Sequence, residues 1–370
     1  MLTALDNTQS VQNLPPASTG LKVGSQKVGH PFLGRTLADA MVQGYDNFSL
    51  LRFLAAALVI FGHSWATAKN PSGATDWIGQ QTLIFSGTVA VNIFFWVSGF
   101  LITMSYIRRP KFIPFILARA LRIFPALIVC VLLTALVLGS ICTTLPVPEY
   151  LRHPDVWRYI QGNSFLNDVQ WYLPGVFEGN NHKGVVNGSL WTLNGELQMY
   201  LFVLILGSCG LLANATRFGW ALASLIVVVL FLPSIHIVES KFIGLSAFFA
   251  FGAFCYVHRA AIPISGYLVL ALAFLTLSLR GHPGYFLMLS AFTAYAALWF
   301  SYGPRLPSLE KYGDYSYGLY LYGFPVQQYI AYLQPELGPL RSLLLSFPLT
   351  LALAIPSWHL VEKPILRFKS

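Results

Sequence analysis

The chain is poor in charge. Asp, Glu, Lys and Arg make up 10% of its 370 residues, against about 25% in soluble globular domains, and 55% of the residues are hydrophobic. That balance excludes an ordinary soluble enzyme and assigns the chain to a membrane. Cysteine is also scarce. Cys130, Cys142, Cys209 and Cys255 lie in or at the edges of apolar runs, without the close pairing that a zinc or redox site needs, and read as small hydrophobes. The eight histidines lack paired spacing with carboxylates or cysteines, so no metal site is expected. Residues 1–47 contain no short apolar core near their start, which excludes a secretory signal. Their mixture of Gly, Pro, Ser, Lys and Asp reads as a partly disordered cytoplasmic tail, followed by a membrane domain over 48–370.

What the chain does have is a succession of apolar runs. Runs of about the length that crosses a bilayer begin near Leu50, Thr82, Ile123, Leu190, Phe218, Phe242, Ile262, Gly284, Tyr315 and Leu343, at roughly 20 residues for each hydrocarbon-spanning helix. The expected fold is therefore an all-α, polytopic membrane helix bundle of about ten transmembrane helices. With the N-terminus inside, sixteen of the twenty-three Lys and Arg residues fall on the cytoplasmic side. An even number of spans with both termini cytoplasmic satisfies that asymmetry. The net charge of +9 then reflects orientation and lipid contact, and no nucleic-acid partner is required. One connection, about 142–189, is much longer than the usual loop and lies outside in this topology. It carries Trp157 and Trp171 among carboxylates and histidines. Aromatic faces beside polar groups suit the C–H faces and hydroxyls of sugars, although aromatics also anchor ordinary membrane surfaces.

Ionisable groups inside spans are costly and point to function. In LRFLAAALVIFGHSW, His63 follows Arg52 by eleven residues, about 16 Å of rise and within about 20° of whole turns, so both share one helical face. SLWTLNGELQMY places Glu196 and Tyr200 one turn apart, shortly after Trp191. Glu196 enters from the outside and His63 approaches the outside from within, so the two are expected at one depth. As a pair they would suit general base catalysis, the carboxylate orienting the imidazole; a structural ion pair or a transporter's proton relay remain alternatives. In FIPFILARALRIFP, Arg119 and Arg122 share a face behind Arg108, Arg109 and Lys111. Such a cluster matches either a phosphate-bearing ligand or anionic lipid headgroups.

The set RFLAAALVIFGH, GTVAVNIFFWVSGFLI, ARALRIFP, LPGVF, VNGSLWTLNGELQMY, YSYGLYLYGFP and VEKP closely resembles the acyltransferase-3 family of bacterial integral-membrane acyltransferases. The blocks are distributed from about residue 48 to the C-terminus. The resemblance implies O-acetylation of cell-surface or lipid-linked glycans, exopolysaccharide first among them, at the bacterial inner membrane. The donor substrate it implies is acetyl-CoA, with no permanently bound cofactor. It carries over to His63 as catalytic histidine, Glu196 as functional carboxylate, and Arg52, Arg119 and Arg122 as basic donor-binding positions. Tyr200, Trp191, Trp157 and Trp171 complete the expected substrate-binding set. Ser98, in WVSGFLI, matches a further block without an assigned chemistry beyond packing or a hydrogen bond. Gly323 stands where many relatives have a histidine. The implied scheme holds the phosphates of acetyl-CoA on the arginines at the inner surface and threads its acyl arm toward His63, which acts as general base or transient acyl carrier. A transporter or flippase of lipid-linked glycan is the rival reading, and a membrane-embedded scaffold is a third.

Overall fold

The computed structural model describes residues 35–231 and 240–368. Residues 1–34, most of the expected cytoplasmic tail, lie outside the described residues. Each of the ten apolar runs coincides with a helix: α1 Phe48–Thr67, α2 Ser86–Arg108, α3 Phe112–Cys142, α4 Trp191–Ser208, α5 Ala215–Phe231, α6 Ser240–Val257, α7 Gly266–Ser278, α8 Tyr285–Tyr302, α9 Ser316–Leu333 and α10 Pro339–Leu366. The molecule is a mostly helical membrane protein. Five of these helices, α1, α2, α3, α8 and α10, are both long and apolar enough to cross a membrane. Others fall short for visible reasons. Helix α7 has 13 residues and rises only about 20 Å, while α9 dilutes its apolar content with Gln327, Gln328 and five tyrosines.

Helix α3 starts at Phe112, well before the expected Ile123, because Phe112, Ile113, Ile116 and Leu117 offer an exposed apolar stripe. Arg119 and Arg122 consequently sit inside a helix with their guanidinium groups turned inward. Both α3 and α10 are interrupted by a π-helical turn, at Leu133–Leu138 and Ser357–Glu362, where the widened helix frees backbone carbonyls. One of these, Ala135 O, accepts a bond from the buried Tyr150 hydroxyl at 2.6 Å.

Close packing of α2 on α6 forms the centre of the bundle. It depends on two glycines. A Cβ at Gly99 would lie 1.9 Å from the carbonyl oxygen of Phe249, and one at Gly252 would lie 2.1 Å from that of Trp96, so only hydrogen allows the two backbones to approach, as in membrane helix pairs generally. Around this contact Trp96, Phe100 and Phe249 are fully buried. Helix α9 packs between α1 and α10, with Gly323 against Ile60 and Gly318 against Ala354.

Residues 35–46, within the expected tail, are ordered. Arg35–Thr36 (β1) pairs antiparallel with Pro263–Ile264 (β2), Arg35 opposite Ile264. Thr36 then caps the short helix Leu37–Val42, its hydroxyl accepting from Asp39 N while the Asp39 carboxylate accepts from Thr36 N. The long connection before α4 holds two short helices, Val147–Arg152 and Pro154–Phe165, followed by an irregular stretch that returns into the bundle beside α9.

Replacing Gly99 by Val should destabilise the protein by about 1–3 kcal/mol or more through overpacking. Gly179→Ala, where a Cβ meets nothing within 4 Å, should be near neutral. Thermal unfolding in detergent compares the two, and equal midpoints would remove the special role of the α2–α6 contact.

Candidate active site

A cavity of about 510 Å³ opens among α1, α2, α3, α4 and α9. Along α2 its lining runs from Val91 to Arg108, a rise of about 26 Å that covers most of a ~30 Å hydrocarbon core. It is a shaft with one basic end. Arg52, Arg108, Arg109, Arg119 and Arg122 all line it, against the single carboxylate of Glu196. The far end is apolar and aromatic, closed by Val91, Phe94 and Tyr320, the last two in edge contact at 5.8 Å.

The five arginines are not equivalent. Asp314, in the turn before α9, accepts from Arg122 Nη2 at 2.5 Å and from Arg52 Nη2 at 2.9 Å. Arg122 also reaches Glu362 at 3.3 Å, a carboxylate brought there by the π-helical turn of α10 and itself only 2% exposed. Burial alone would raise the Asp314 carboxyl, but the two guanidinium groups overcome it and hold it well below the usual carboxylate range. Arg119 has no carboxylate partner among the described residues. Its Nη2 donates to Ser105 Oγ at 2.5 Å, and its buried Nε is unsatisfied. Arg108 and Arg109 are exposed at the mouth. The cations available to an anionic ligand are therefore Arg119, Arg108 and Arg109, while Arg52 and Arg122 are held by protein carboxylates.

Glu196 lies midway along the shaft. Its Oε1 accepts from Ser98 Oγ at 2.7 Å and from the Tyr200 hydroxyl. The pairing expected with His63 is not formed. His63 stands against Phe85 and Phe324, with ring centroids 5.7 and 5.0 Å away, and no hydrogen bond joins it to Glu196 among the described residues. Rise along α2 from Phe85 to Ser98, and along α9 and α4 by way of Tyr320, puts the two groups roughly 13–20 Å apart in depth. The long connection is the cause. Asn187 donates to Leu321 O at 3.0 Å, Tyr320 donates to Ser189 O at 2.8 Å, and Thr192 meets the Tyr320 hydroxyl. These bonds carry the loop deep into the bundle, so α4 begins at the level of Tyr320 and Glu196 lies deeper still.

His63 does not line the shaft, but it is close to the end away from the arginines. Tyr320 lines the cavity, and Phe324, one turn along α9, touches the His63 ring. The Nδ1 of His63 is sealed from solvent without a hydrogen-bond partner, while the residue as a whole stays partly exposed. Gln327 holds its helix in place, donating to Ile60 O at 2.7 Å and to Ser64 Oγ at 2.8 Å. Gly323 faces Ile60, and its missing side chain lets α1 and α9 approach. Of the tryptophans, Trp191 packs edge-on against Phe242 at 5.5 Å. Trp157 is exposed, its indole donating to Leu151 O at 3.0 Å, and Trp171 is part of the loop backbone pairing, accepting from Val186 N at 2.8 Å. None of the three lines the shaft.

A family model described as an acyltransferase domain matches residues 45–359. The chain belongs to the acyltransferase-3 family. Two relatives agree along nearly their whole lengths. An "O-acetyl transferase" of Shigella phage Sf6 is 30% identical over 340 residues, 86% of this chain and 95% of the relative. "Nodulation protein 10" of Rhizobium leguminosarum bv. viciae is 30% identical over 359 residues, 88% and 94%. No solved structure matches. The protein is an O-acyltransferase, and several groups that support the walls of its shaft from outside the cavity have weak sequence signals. Asp314 announced itself only as a lone acid followed by Ser316, whose N–H and hydroxyl bond Asp314 Oδ1. Glu362 was legible only as a helix terminus. Gln327 and Gln328, fully buried side by side, were hidden in an apolar run.

Asp314→Asn should destabilise the acyltransferase by roughly 2 kcal/mol, the scale of a hydrogen bond to a charged group. Because folding lowers the Asp314 pKa, its contribution is present above the ordinary carboxylate value near 3.9 and is lost as pH falls through the lower folded value. Unfolding midpoints measured from neutral to strongly acid pH should therefore fall less on acidification in the variant. An identical acid limb would show that Asp314 is not under this ionic control.

Proposed function

We propose that the protein is a multi-pass enzyme of the bacterial cytoplasmic membrane, with both termini inside, that moves an acetyl group from cytoplasmic acetyl-CoA to a hydroxyl of a cell-surface or lipid-linked glycan, an exopolysaccharide first. The observation that carries this reading is the shaft: a long, narrow cavity in an acyltransferase, with cations at one end and a histidine one turn beyond the other. Acetyl-CoA has the matching form, a phosphate-rich head and a thin acyl-bearing arm. The relative named "O-acetyl transferase" favours acetyl as the group. The excess of basic residues on the assumed inner face supports the orientation.

In this scheme Arg119, Arg108 and Arg109 take the phosphates by charge-assisted hydrogen bonds. Arg52 and Arg122, tied to Asp314, shape the mouth. The arm runs past Ser98, Glu196 and Tyr200, where Glu196 accepts from its amide N–H groups. The thioester then approaches Tyr320 and, beyond it, His63. The acceptor oxygen bonds to the acetyl carbon, the C–S bond breaks, and the hydroxyl proton taken by His63 passes to the departing thiolate. An acyl-His63 intermediate splits the same exchange into two steps. Glu196 thus belongs to the donor path and does not orient His63.

Purified protein given labelled acetyl-CoA and deacetylated surface polysaccharide from the producing cells should transfer label; glycan movement without acetyl transfer would favour a transporter. His63→Ala should lower kcat by about 10²-fold or more, the range of general acid–base assistance. Glu196→Gln should chiefly raise the donor KM, and equal kcat losses in both would restore a single His–Glu catalytic pair. Arg119→Ala should weaken acetyl-CoA binding by about 10-fold or more, measurable by equilibrium binding, and unchanged affinity would remove it from the donor site.

A further inference from the structure

Two successive glutamines of α9 face different neighbours. Gln327 fixes the turn of α1 that carries His63. Gln328 fixes the outer connection: its Nε2 donates to His182 O at 2.7 Å and Val185 O at 2.5 Å, and Asn180 Nδ2 donates back to Gln328 Oε1 at 3.1 Å and Gln328 O at 2.8 Å. Gln328 is 0% exposed, so this clasp is shielded from water and each of its bonds matters. Its effect is to bring the His182 imidazole onto the same phenyl ring that His63 touches. The ring centroids lie 5.7 Å apart for His182 and Phe324 and 5.0 Å for His63 and Phe324, both edge-on.

The two histidines differ in access. The Nδ1 of His63 is sealed and unpartnered. His182 is partly exposed on the connection that enters from the side opposite the basic mouth, and no hydrogen bond of its ring to protein is formed among the described residues. Partial burial moves its pKa below the ordinary histidine value, which favours the neutral imidazole, able both to donate and to accept. The titratable neighbours on its own loop, Lys183 and Glu178, are exposed, and His63 is the titratable group facing the same ring from α1.

We propose that His182 forms the acceptor side of the site: a glycan hydroxyl entering from the outer face is held by the His182 ring and presented to His63, so the clasped loop determines acceptor binding while the shaft determines donor binding. This rests on the acetyl-transfer reading above. His182 is a binding and positioning residue, and no further covalent step is involved. Because Gln328 holds the backbone of His182, replacing the ring leaves the clasp intact.

The test uses the full-length protein with labelled acetyl-CoA and graded amounts of alkali-deacetylated surface polysaccharide from the producing cells. His182→Ala should raise the acceptor KM about tenfold with the donor KM unchanged. His182→Gln, which keeps a donor and an acceptor, should recover much of the loss. Gln328→Leu, which frees the loop without touching the ring, should shift the acceptor KM in the same direction. An acceptor KM unchanged in His182→Ala, or donor and acceptor KM raised equally, overturns the assignment while leaving acetyl transfer standing. A wild-type protein that transfers nothing overturns the acetyl-transfer reading itself, and His182's role with it.

Discussion

One half-buried carboxylate sets the geometry of the basic end of the molecule. Asp314 accepts from Arg52 and Arg122 at once, and Arg122 extends the network to Glu362. Four segments distant in sequence, α1, α3, the turn before α9 and the end of α10, are thereby fastened at one level. Charges partly withdrawn from water in this way are stabilised by being paired and hydrogen-bonded. Their pairing leaves Arg119 as a cation that lines the shaft without a carboxylate partner among the described residues. The network therefore separates cations that hold the protein together from those that remain available to a ligand. The π-helical turn at Ser357–Glu362 takes part, since without it the register of α10 would not bring Glu362 to Arg122.

The opposite end of the bundle is governed by hydrogen bonding to the backbone. A loop that enters an apolar bundle must satisfy its polar groups inside the protein. Tyr320, Leu321, Gln328 and Asn180 supply that satisfaction along one side of α9. The depth at which α4 begins follows directly, and so does the position of Glu196 beside Ser98 instead of His63. The basic mouth of the shaft, Glu196 and His63 then lie at successive levels along the bundle.

Much of this was legible in the residues. The apolar runs marked every long helix, because a bilayer-length stretch without charge has few other structures open to it. Arg52, Arg119, Arg122, Glu196 and Tyr200 were each recognisable as polar groups too costly to keep in a span without a purpose, and all five line one cavity. Ser98 matched a family block with packing or a hydrogen bond as its expected role, and the structure identifies Glu196 as the hydrogen-bond partner. The Gln327–Gln328 pair was not legible, since nothing local distinguishes a glutamine in a span from packing. Trp157 and Trp171 lie away from the shaft lining, on the long connection.

What the sequence determined by itself is chemical and one-dimensional: membrane residence, the places of the helices, the family and the identity of the costly polar groups. The first two and the last follow from composition and periodicity, and the family from the resemblance of its sequence blocks. Only the tertiary structure decided partnership. Whether Glu196 meets His63 or Ser98, and whether Arg122 is free or bound to Asp314, depends on the relative depth of separate helices. Depth is set by a re-entrant loop, two π-helical turns and the glycine contacts of α2 with α6. These are long-range packing outcomes to which spacing along a single helix is blind.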